Sequence, residues 1–274
     1  MPFINDNETY LQKMRNAFID KSWFRFIIPQ NVDTVIDFGS ADNSFINFMK
    51  ETHPHYRYIG IDNNPYFIKL SKEQGQECYA SLMEMKENSE YNKEKTLLVL
   101  NSVLHETYSY GYADNFWSEI LVLSPNYIAI RDMYAGNCDS FGSQEYRAME
   151  KLIYEYGMQE HYMDFIHEWD RVKDGYTALH FLYKYFYDEN WVREVAENYI
   201  PFTYRDLYKK IREVGYDVKY SDFYQLEYLK QKWLKDFHCE SSSFGENEKV
   251  NAIMRGFIER VLTHMKLFLV KESE

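Results

Sequence analysis

The chain has 274 residues, which suits one large α/β domain or one such domain with insertions. Its 45% hydrophobic and 27% charged residues are ordinary for a soluble globular protein. The formal net charge of −12 disfavours nucleic acid as a partner, because the mean field repels a polyphosphate unless a local basic patch overrides it.

The cysteines and the first residues indicate a compartment. The three cysteines contain no Cys-x-x-Cys pair, which fits a reduced protein better than a disulfide scaffold or a zinc module. The first eight residues have neither a basic head nor an apolar core, unlike a signal peptide. No apolar run is long enough to span a bilayer. We therefore expect a cytoplasmic protein.

The N-terminal part of the chain is predicted to be helical, because apolar residues recur at helical spacing over 9–28. An aromatic cluster at residues 21–26 lies within this stretch and begins with Lys21. We expect this cluster to cover a sheet edge, and a place at a ligand entrance is the alternative.

Residues 34–43 carry the pattern around which the chain is organised. The apolar run over 34–38 predicts a buried strand, which Asp37 interrupts with a carboxylate that is costly unless something pairs with it. Gly39 then allows a sharp turn or a close approach to a ligand, and a helix is predicted over 44–52. A second strand over 57–62 ends in Asp62, where an acid can accept hydrogen bonds from both hydroxyls of a ribose.

The later elements continue this alternation of strand and helix, with two interruptions. They are predicted as a helix opening at Pro65, strands over 77–80, 95–100 and 127–132, a helix over 112–122, a helix from about residue 204, and strands over 217–223 and 265–270. Two stretches, 133–202 and 224–262, interrupt this pattern as insertions. The first of them is helical, aromatic and charged, and it is predicted to form a cap.

These residues resemble the motifs of the class I S-adenosylmethionine (SAM)-dependent methyltransferases, whose first strand ends in Asp-x-Gly-x-Gly-x-Gly and whose second ends in an acid. Asp37, Gly39 and Asp62 match, whereas Ala41 and Asn43 stand in place of the later glycines. Alanine adds only a methyl group, and asparagine tolerates positive φ better than most residues. The resemblance implies an α/β fold with a seven-stranded, mostly parallel Rossmann-like sheet, a last strand that is inserted antiparallel, and a helical cap insertion.

The same resemblance implies SAM as the cofactor and S-adenosylhomocysteine (SAH) as the product. It assigns cofactor contacts to Asp37, Phe38, Gly39, Ala41, Asp62, Asn63, Ser81, Leu82, Asn101 and Ser102. A dinucleotide is the weaker alternative, because Gly-x-Gly-x-x-Gly spacing is absent and Asp42 would repel a pyrophosphate. A third interpretation is an ordinary turn in which Asp37 merely caps local amides.

Candidate catalytic residues follow the fourth and fifth strands: His105, Arg131 and Asp132. His105 is a candidate general base, and the alternative is a helix-start histidine that the backbone satisfies. Arg131 could anchor an anionic acceptor, and a structural ion pair with Asp132 is the alternative. A metal site is not supported, because His161 and His167 fall on different faces of a helix.

The sequence thus predicts four regions: an N-terminal helical segment (1–33), a SAM-binding core (34–132), a helical cap (133–202), and the end of the core (203–274) with its insertion. We expect methyl transfer to the oxygen or nitrogen of a small-molecule acceptor. One alternative is a SAM- or nucleotide-binding module without catalysis. Another is an RNA-modifying methyltransferase that uses Lys230, Lys232 and Lys235. The acceptor and the oligomeric state stay open.

Overall fold

The structure, a computed structural model, describes residues 17–240 and 247–272. Within them, seven strands form one mixed sheet in the order β3-β2-β1-β4-β5-β7-β6. The strands are β1 (Thr34–Phe38), β2 (Arg57–Ile61), β3 (Cys78–Tyr79), β4 (Thr96–Asn101), β5 (Tyr127–Gly136), β6 (Tyr216–Tyr224) and β7 (Leu262–Lys271). This confirms the expected seven-stranded α/β sheet, in which the last strand lies between β5 and β6.

The centre of the sheet is β1, which pairs in parallel with β2 on one side and β4 on the other. Phe38 at its carboxyl end lies level with Ile61 of β2 and Leu100 of β4. One residue further, Asn101 of β4 is level with Arg131 of β5. The strand order reverses between β1 and β4, which is the point where open α/β sheets form ligand crevices.

Helices connect these strands. The α-helices span Phe18–Lys21, Ser44–Thr52, Pro65–Glu73, Leu82–Asn88, Leu104–Ser109, Ala113–Leu123, Ser143–Glu155, Gln159–Trp169, Gly175–Leu182, Trp191–Ala196, Tyr204–Glu213, Glu227–Asp236 and Glu248–Ile258. Part of the helix expected over 9–28 lies outside the described residues, and its described part is a single helical turn followed by a 3₁₀ turn, Trp23–Phe26. Within the described part of the chain, no helix is both long and apolar enough to cross a membrane.

The chain divides into two compact units. Among the described residues, the sheet unit comprises 17–132, Tyr204–Asp222 and 265–272. The inserted unit comprises Met133–Thr203 and the described residues of the range 223–264. Both stretches that the sequence marks as insertions therefore contribute to one unit, which differs from a cap built by the first stretch alone.

Each unit has its own apolar core. In the sheet unit, buried residues of β1 and β4 pack with the N-terminal turn and with the helix Ser44–Thr52; they include Phe18, Phe24, Val35, Phe45, Ile46, Met49, Leu97 and Val99. In the inserted unit, both segments supply the core, which includes Leu152, Phe165, Phe181, Trp233, Phe237, Met254 and Phe257. Burial of these side chains supplies the main driving force for folding of each unit.

Candidate active site

The turn after β1 has a backbone that only particular residues tolerate. Gly39 has φ +79°, and a Cβ added there would lie 2.8 Å from Cγ2 of Val103, so both conformation and space require glycine. Ala41 and Asn43 also have positive φ, of 46° and 59°. Asn43 thus adopts the left-handed conformation expected of it, whereas Ala41 adopts one that costs an alanine energy.

The side chain of Asn43 explains why β2 has a glycine at position 60. Asn43 is fully buried, and a Cβ on Gly60 of β2 would collide with its Oδ1 and with Oγ of Ser40. The asparagine at the third motif position therefore fills space that Gly60 leaves open. The turn packs directly on β2 in consequence.

Asp62 links this turn to the end of β2. Its Oδ2 accepts a hydrogen bond from the Ala41 N–H at 2.9 Å, and its Oδ1 accepts one from the Asn64 N–H at 2.8 Å. Burial raises the pKa of Asp62, and these two hydrogen bonds partly oppose that rise. Asp62 is partly exposed, and each of its carboxylate oxygens has a further lone pair that can accept a hydrogen bond.

A cavity lies beside the turn, at the carboxyl ends of β1 and β4. Its lining residues are Phe18, Lys21, Asp37, Gly39, Ser40, Ala41, Asp42, Ser44, Phe45 and Asn101. Asn101 is only 8% exposed, yet neither its amide nitrogen nor its amide oxygen has a hydrogen-bond partner. A buried amide without partners is costly, so this cavity is suited to a polar ligand that supplies both a donor and an acceptor.

Two opposite charges face this cavity from the sheet unit. Burial and, to a smaller extent, the nearby Arg131 lower the pKa of Lys21 to about 7, while Asp37 acts in the opposite direction. Burial raises the pKa of Asp37 to about 7, and Lys21 opposes that rise. The positive charge of Lys21 thus offsets part of the cost of burying the Asp37 carboxylate within a strand.

His105 and Asp132 form a buried pair at the ends of β4 and β5. Nδ1 of His105 lies 2.6 Å from Oδ1 of Asp132, and the His105 backbone N–H donates to Oδ2 at 3.1 Å. Asp132 is fully buried, and an ionised carboxylate only accepts hydrogen bonds. The neutral imidazole therefore carries its proton on Nδ1, which leaves Nε2 as the basic nitrogen.

Arg131 has different partners from its neighbour Asp132, because successive side chains of a strand point to opposite faces. Its guanidinium binds Oδ2 of Asp20 through Nε at 2.8 Å and Nη2 at 2.7 Å. Nη1 donates to Oγ of Ser102 at 2.5 Å. Asp20 also pairs with Lys266 of β7, at 2.7 Å. Arg131 is therefore engaged in fixing the N-terminal turn and Ser102.

The remaining cofactor-contact candidates take four different places. Phe38 packs on Phe116, with ring centroids 5.1 Å apart. Asn63 is exposed, and Leu82 is fully buried. Oγ of Ser81 accepts the Glu84 N–H at 3.0 Å and so begins the helix Leu82–Asn88. The contacts of these four residues with a cofactor stay predictions.

The aromatic residues of the cluster at 21–26 cover part of the sheet, as expected, and a role at a ligand entrance stays a prediction. The indole of Trp23 stacks on Tyr220 of β6, with ring centroids 5.5 Å apart, and Phe24 is fully buried. Lys21, in contrast, lines the cavity. Neither Phe18 nor Lys21 was expected from the sequence to line the site. The only sequence signal for Lys21 was its position at the start of the aromatic cluster.

The basic patch considered for RNA binding lies on the helix Glu227–Asp236. Lys232 pairs with Asp236 at 2.8 Å, and Lys230 lies 3.9 Å from Glu227. Acids on the same helix thus offset part of this charge, as on an ordinary solvated helix face.

No family model matches the chain, and no curated protein sequence matches it. Among solved structures, the [4+2]-cyclase SpnF is similar with a TM-score of 0.50 and 8% identity, over 96% of this chain and 83% of that one. The plantazolicin methyltransferase BpumL, bound to a pentazolic desmethylPZN analog and SAH, has a TM-score of 0.47 and 10% identity, over 97% of this chain and 87% of that one. A putative sarcosine dimethylglycine methyltransferase from Galdieria sulphuraria has a TM-score of 0.46 and 11% identity, over 95% of this chain and 86% of that one. The likeness to SpnF shows a shared fold, and at such identities function does not transfer.

Proposed function

We propose that the protein is a SAM-dependent methyltransferase that acts on a small-molecule acceptor and releases SAH. The observation that carries this proposal is the cavity at the strand-order reversal, where the buried amide of Asn101 has no partner. Gly39, which the local geometry requires, and Asp62 border the same turn. The buried pair His105–Asp132 supplies a base at the neighbouring strand ends.

The residues present fit this cofactor. Asp62 would hold the ribose hydroxyls, and the Gly39 turn allows close approach to the backbone. Asn101 would find partners in the amino acid portion of the cofactor. The carboxylates of Asp37 and Asp42 suit a cationic molecule and oppose a pyrophosphate. Bound SAM supplies an activated methyl group to this site.

The role proposed for His105 is that of general base. Asp132 accepts the hydrogen bond of Nδ1–H and fixes the orientation of the ring. Nε2 can then take the proton of a hydroxyl as its oxygen attacks, or remove the proton of a protonated amine before its nitrogen attacks. An amine that is already neutral needs only alignment, so the demand for His105 depends on the acceptor.

Catalysis is favoured over a binding module by the His105–Asp132 pair, because burying such a pair is costly and a cofactor-binding scaffold does not require it. The name of SpnF, a [4+2]-cyclase, illustrates that this fold hosts other reactions. The offset lysines on the helix Glu227–Asp236 weigh against an RNA acceptor. The three cysteines are buried free thiols, which supports a cytoplasmic location.

The test has two steps. Calorimetry of the purified protein with SAH measures binding, and methyl-labelled SAM supplied with an acceptor mixture from cell extract measures transfer. We expect SAH binding and time-dependent label in a small molecule, both reduced in the variant Asp62→Asn. A wild-type protein that binds neither SAM nor SAH at millimolar concentration would refute the proposal. Binding without transfer to any fraction would favour the binding module.

A further inference from the structure

Buried polar side chains collect on one face of β2, next to the turn that follows β1. Asn43 and Ser71 are fully buried, Ser40 is 4% exposed and Cys78 is 2% exposed. Ser40 and Asn43 belong to the turn, Ser71 lies in the helix Pro65–Glu73, and Cys78 lies in β3. Three segments of the sheet unit thus bring polar groups to a place that bulk solvent does not reach.

The position of Gly60 in β2 shows that these groups lie close together. A Cβ placed on Gly60 would be 2.3 Å from Oδ1 of Asn43 and 2.6 Å from Oγ of Ser40. Cys78 is the register partner of Gly60 in the parallel pair of β2 and β3, so its side chain points to the same face of the sheet. Burial raises the pKa of the Cys78 thiol, and hydrogen bonds with the hydroxyls of Ser40 and Ser71 oppose that rise. The four side chains therefore form one cluster.

Four polar atoms of this cluster have no hydrogen-bond partner of good geometry among the described residues. They are Oγ of Ser40, Oγ of Ser71, and both Nδ2 and Oδ1 of Asn43. A thiol is a weak hydrogen-bonding group, so Cys78 does not satisfy the two hydroxyls. Unpaired polar atoms inside a protein lower its stability, and a buried water typically makes about three hydrogen bonds to such atoms.

We propose that Ser40, Asn43 and Ser71 together bind one buried water molecule, which joins the turn after β1 to the helix Pro65–Glu73. This water site is independent of the proposed function. The chemistry of the side chains selects water as the ligand. The Asn43 amide presents two hydrogen atoms as well as an acceptor oxygen, and each serine hydroxyl can donate or accept. Water offers these groups both donors and acceptors, whereas a metal cation would face the amide hydrogens with like charge.

Direct pairing within the protein is the competing explanation. A serine inside a helix can donate to the carbonyl of the residue four positions earlier, which is Phe67 for Ser71. A small rotation could also join the side chains of Ser40 and Asn43 to each other. On this explanation the Ser71 hydroxyl contributes little, and alanine at position 71 is favoured because alanine is the better helix former.

A high-resolution crystal structure of the full chain tests the site directly. We expect an ordered water within about 2.7–3.2 Å of at least three of the four polar atoms. Direct pairing of Ser40 with Asn43 and of Ser71 with the Phe67 carbonyl, and no water at the site, would overturn the proposal.

Urea unfolding of Ser71→Ala tests the site in solution. We expect the equilibrium constant for unfolding to rise by about 3–10-fold, because the water loses one of its hydrogen bonds. The matched control is Ser118→Ala in the helix Ala113–Leu123, since the exposed Ser118 donates to the carbonyl of Asp114 at 2.8 Å. This control should change the constant by less than about twofold. A Ser71→Ala protein as stable as the wild type would overturn the proposal.

The variant Asn43→Asp distinguishes water from a monovalent cation. It keeps the size of the side chain and its tolerance of positive φ, but it replaces the amide hydrogens with a buried negative charge. We expect a lower urea midpoint than that of the wild type, with the same midpoints in potassium chloride and in choline chloride at equal ionic strength. A midpoint that rises in potassium chloride would overturn the assignment of water in favour of a cation. If Asn43→Asp does not fold, the same salt comparison on the wild-type protein decides between the two ligands.

Discussion

Lys21 in the sheet unit and Lys184 in the inserted unit are both buried lysines whose pKa burial lowers to about 7. They differ in what surrounds the ammonium group. Nζ of Lys184 donates to the backbone carbonyls of Val195, at 3.2 Å, and Glu197, and it lies over the rings of Trp169 and Tyr199. Lys21 instead lines a cavity. Burial of a charge therefore does not by itself indicate a site, and what distinguishes Lys21 from Lys184 is the cavity beside it.

The neighbours of Lys184 extend this contrast. Tyr199 donates to Glu194, Arg193 pairs with Glu197 at 3.2 Å, and Nε2 of His180 lies 3.3 Å from the Glu197 carbonyl. These side chains of the inserted unit thus pair with one another, and this accounts for the polar and aromatic residues at 191–199 through packing. In the sheet unit, the amide of Asn101 lines the cavity and has no hydrogen-bond partner.

The largest effect is expected when the inserted unit is divided. A fragment of residues 133–202 lacks Trp233, Met254 and Phe257, which belong to the same core as its own Phe165 and Phe181. We expect this fragment to be unfolded, because it cannot bury that surface alone. Circular dichroism during heating checks this, with the full chain as the control, and a cooperative melt of the fragment would contradict it.

His105→Ala tests the use of a buried group for chemistry. We expect turnover to fall by about 10²–10⁴-fold with SAH binding unchanged, the usual scale for loss of a general base. Rates with methyl-labelled SAM between about pH 6 and pH 9 provide the measurement, and Asp132→Asn should also lower turnover. The exposed His55→Ala is the control. Wild-type rates in His105→Ala across that range would assign His105 a structural role.

Lys184→Met tests the structural lysine through the pH dependence of stability. The pKa of about 7 in the folded state lies below the ordinary lysine value of 10.5, so the folded state binds fewer protons than the unfolded state between these values. Stability of the wild type should therefore rise relative to the variant as pH increases from about 7 to about 10, by roughly 3–5 kcal/mol. Urea unfolding at several pH values measures this difference. The exposed Lys209→Met should show no such trend, and a flat difference for Lys184→Met would mean that Lys184 stays charged in the fold.

Asp62→Ala tests the ribose acid. We expect a loss of about 1.5–3 kcal/mol in SAH binding, because hydrogen bonds to a charged group disappear. Asp62→Asn should be compared with Asp62→Ala, since the asparagine amide oxygen can still accept a hydrogen bond from the Ala41 or Asn64 N–H and so preserve the turn. Calorimetric titration measures both, and equal affinity in all three proteins would remove Asp62 from the site.

The smallest expected effect concerns the departure from the glycine motif. Ala41 has φ 46°, a conformation that costs an alanine about 1–2 kcal/mol and a glycine little. Ala41→Gly should therefore stabilise the protein by about 0.5–1 kcal/mol after the greater chain entropy of glycine is subtracted, and SAH binding should persist. Urea unfolding checks this, and a destabilised Ala41→Gly would mean that the methyl group makes a favourable contact.

The strands, turns and helices of the sheet unit that have a clear sequence pattern could be predicted, because one short run of residues determines each of them. The strand 34–38, the glycine turn and the helix 44–52 are examples. The prediction stopped β5 at residue 132, although it continues to Gly136, because the polar and aromatic residues there do not continue the apolar run.

Lys21 could not be found in this way, since its place depends on a contact between Asp20 and Arg131, 111 residues apart. The shared core of the two insertions escaped prediction for the same reason. Each insertion by itself reads as an amphipathic helical stretch, and nothing in its periodicity specifies which other stretch will cover its apolar face.

The anchoring of Asp20 also has a consequence for synthesis of the protein on the ribosome. Lys266 is translated after almost all of the residues that the structure describes, and its pairing with Asp20 fastens the wall that carries Lys21. A nascent chain that has already folded β1, β2, β4 and β5 still lacks this fastening. The wall of this cavity is therefore fastened only after β7 has emerged from the exit tunnel, later than the strands that the wall lies against.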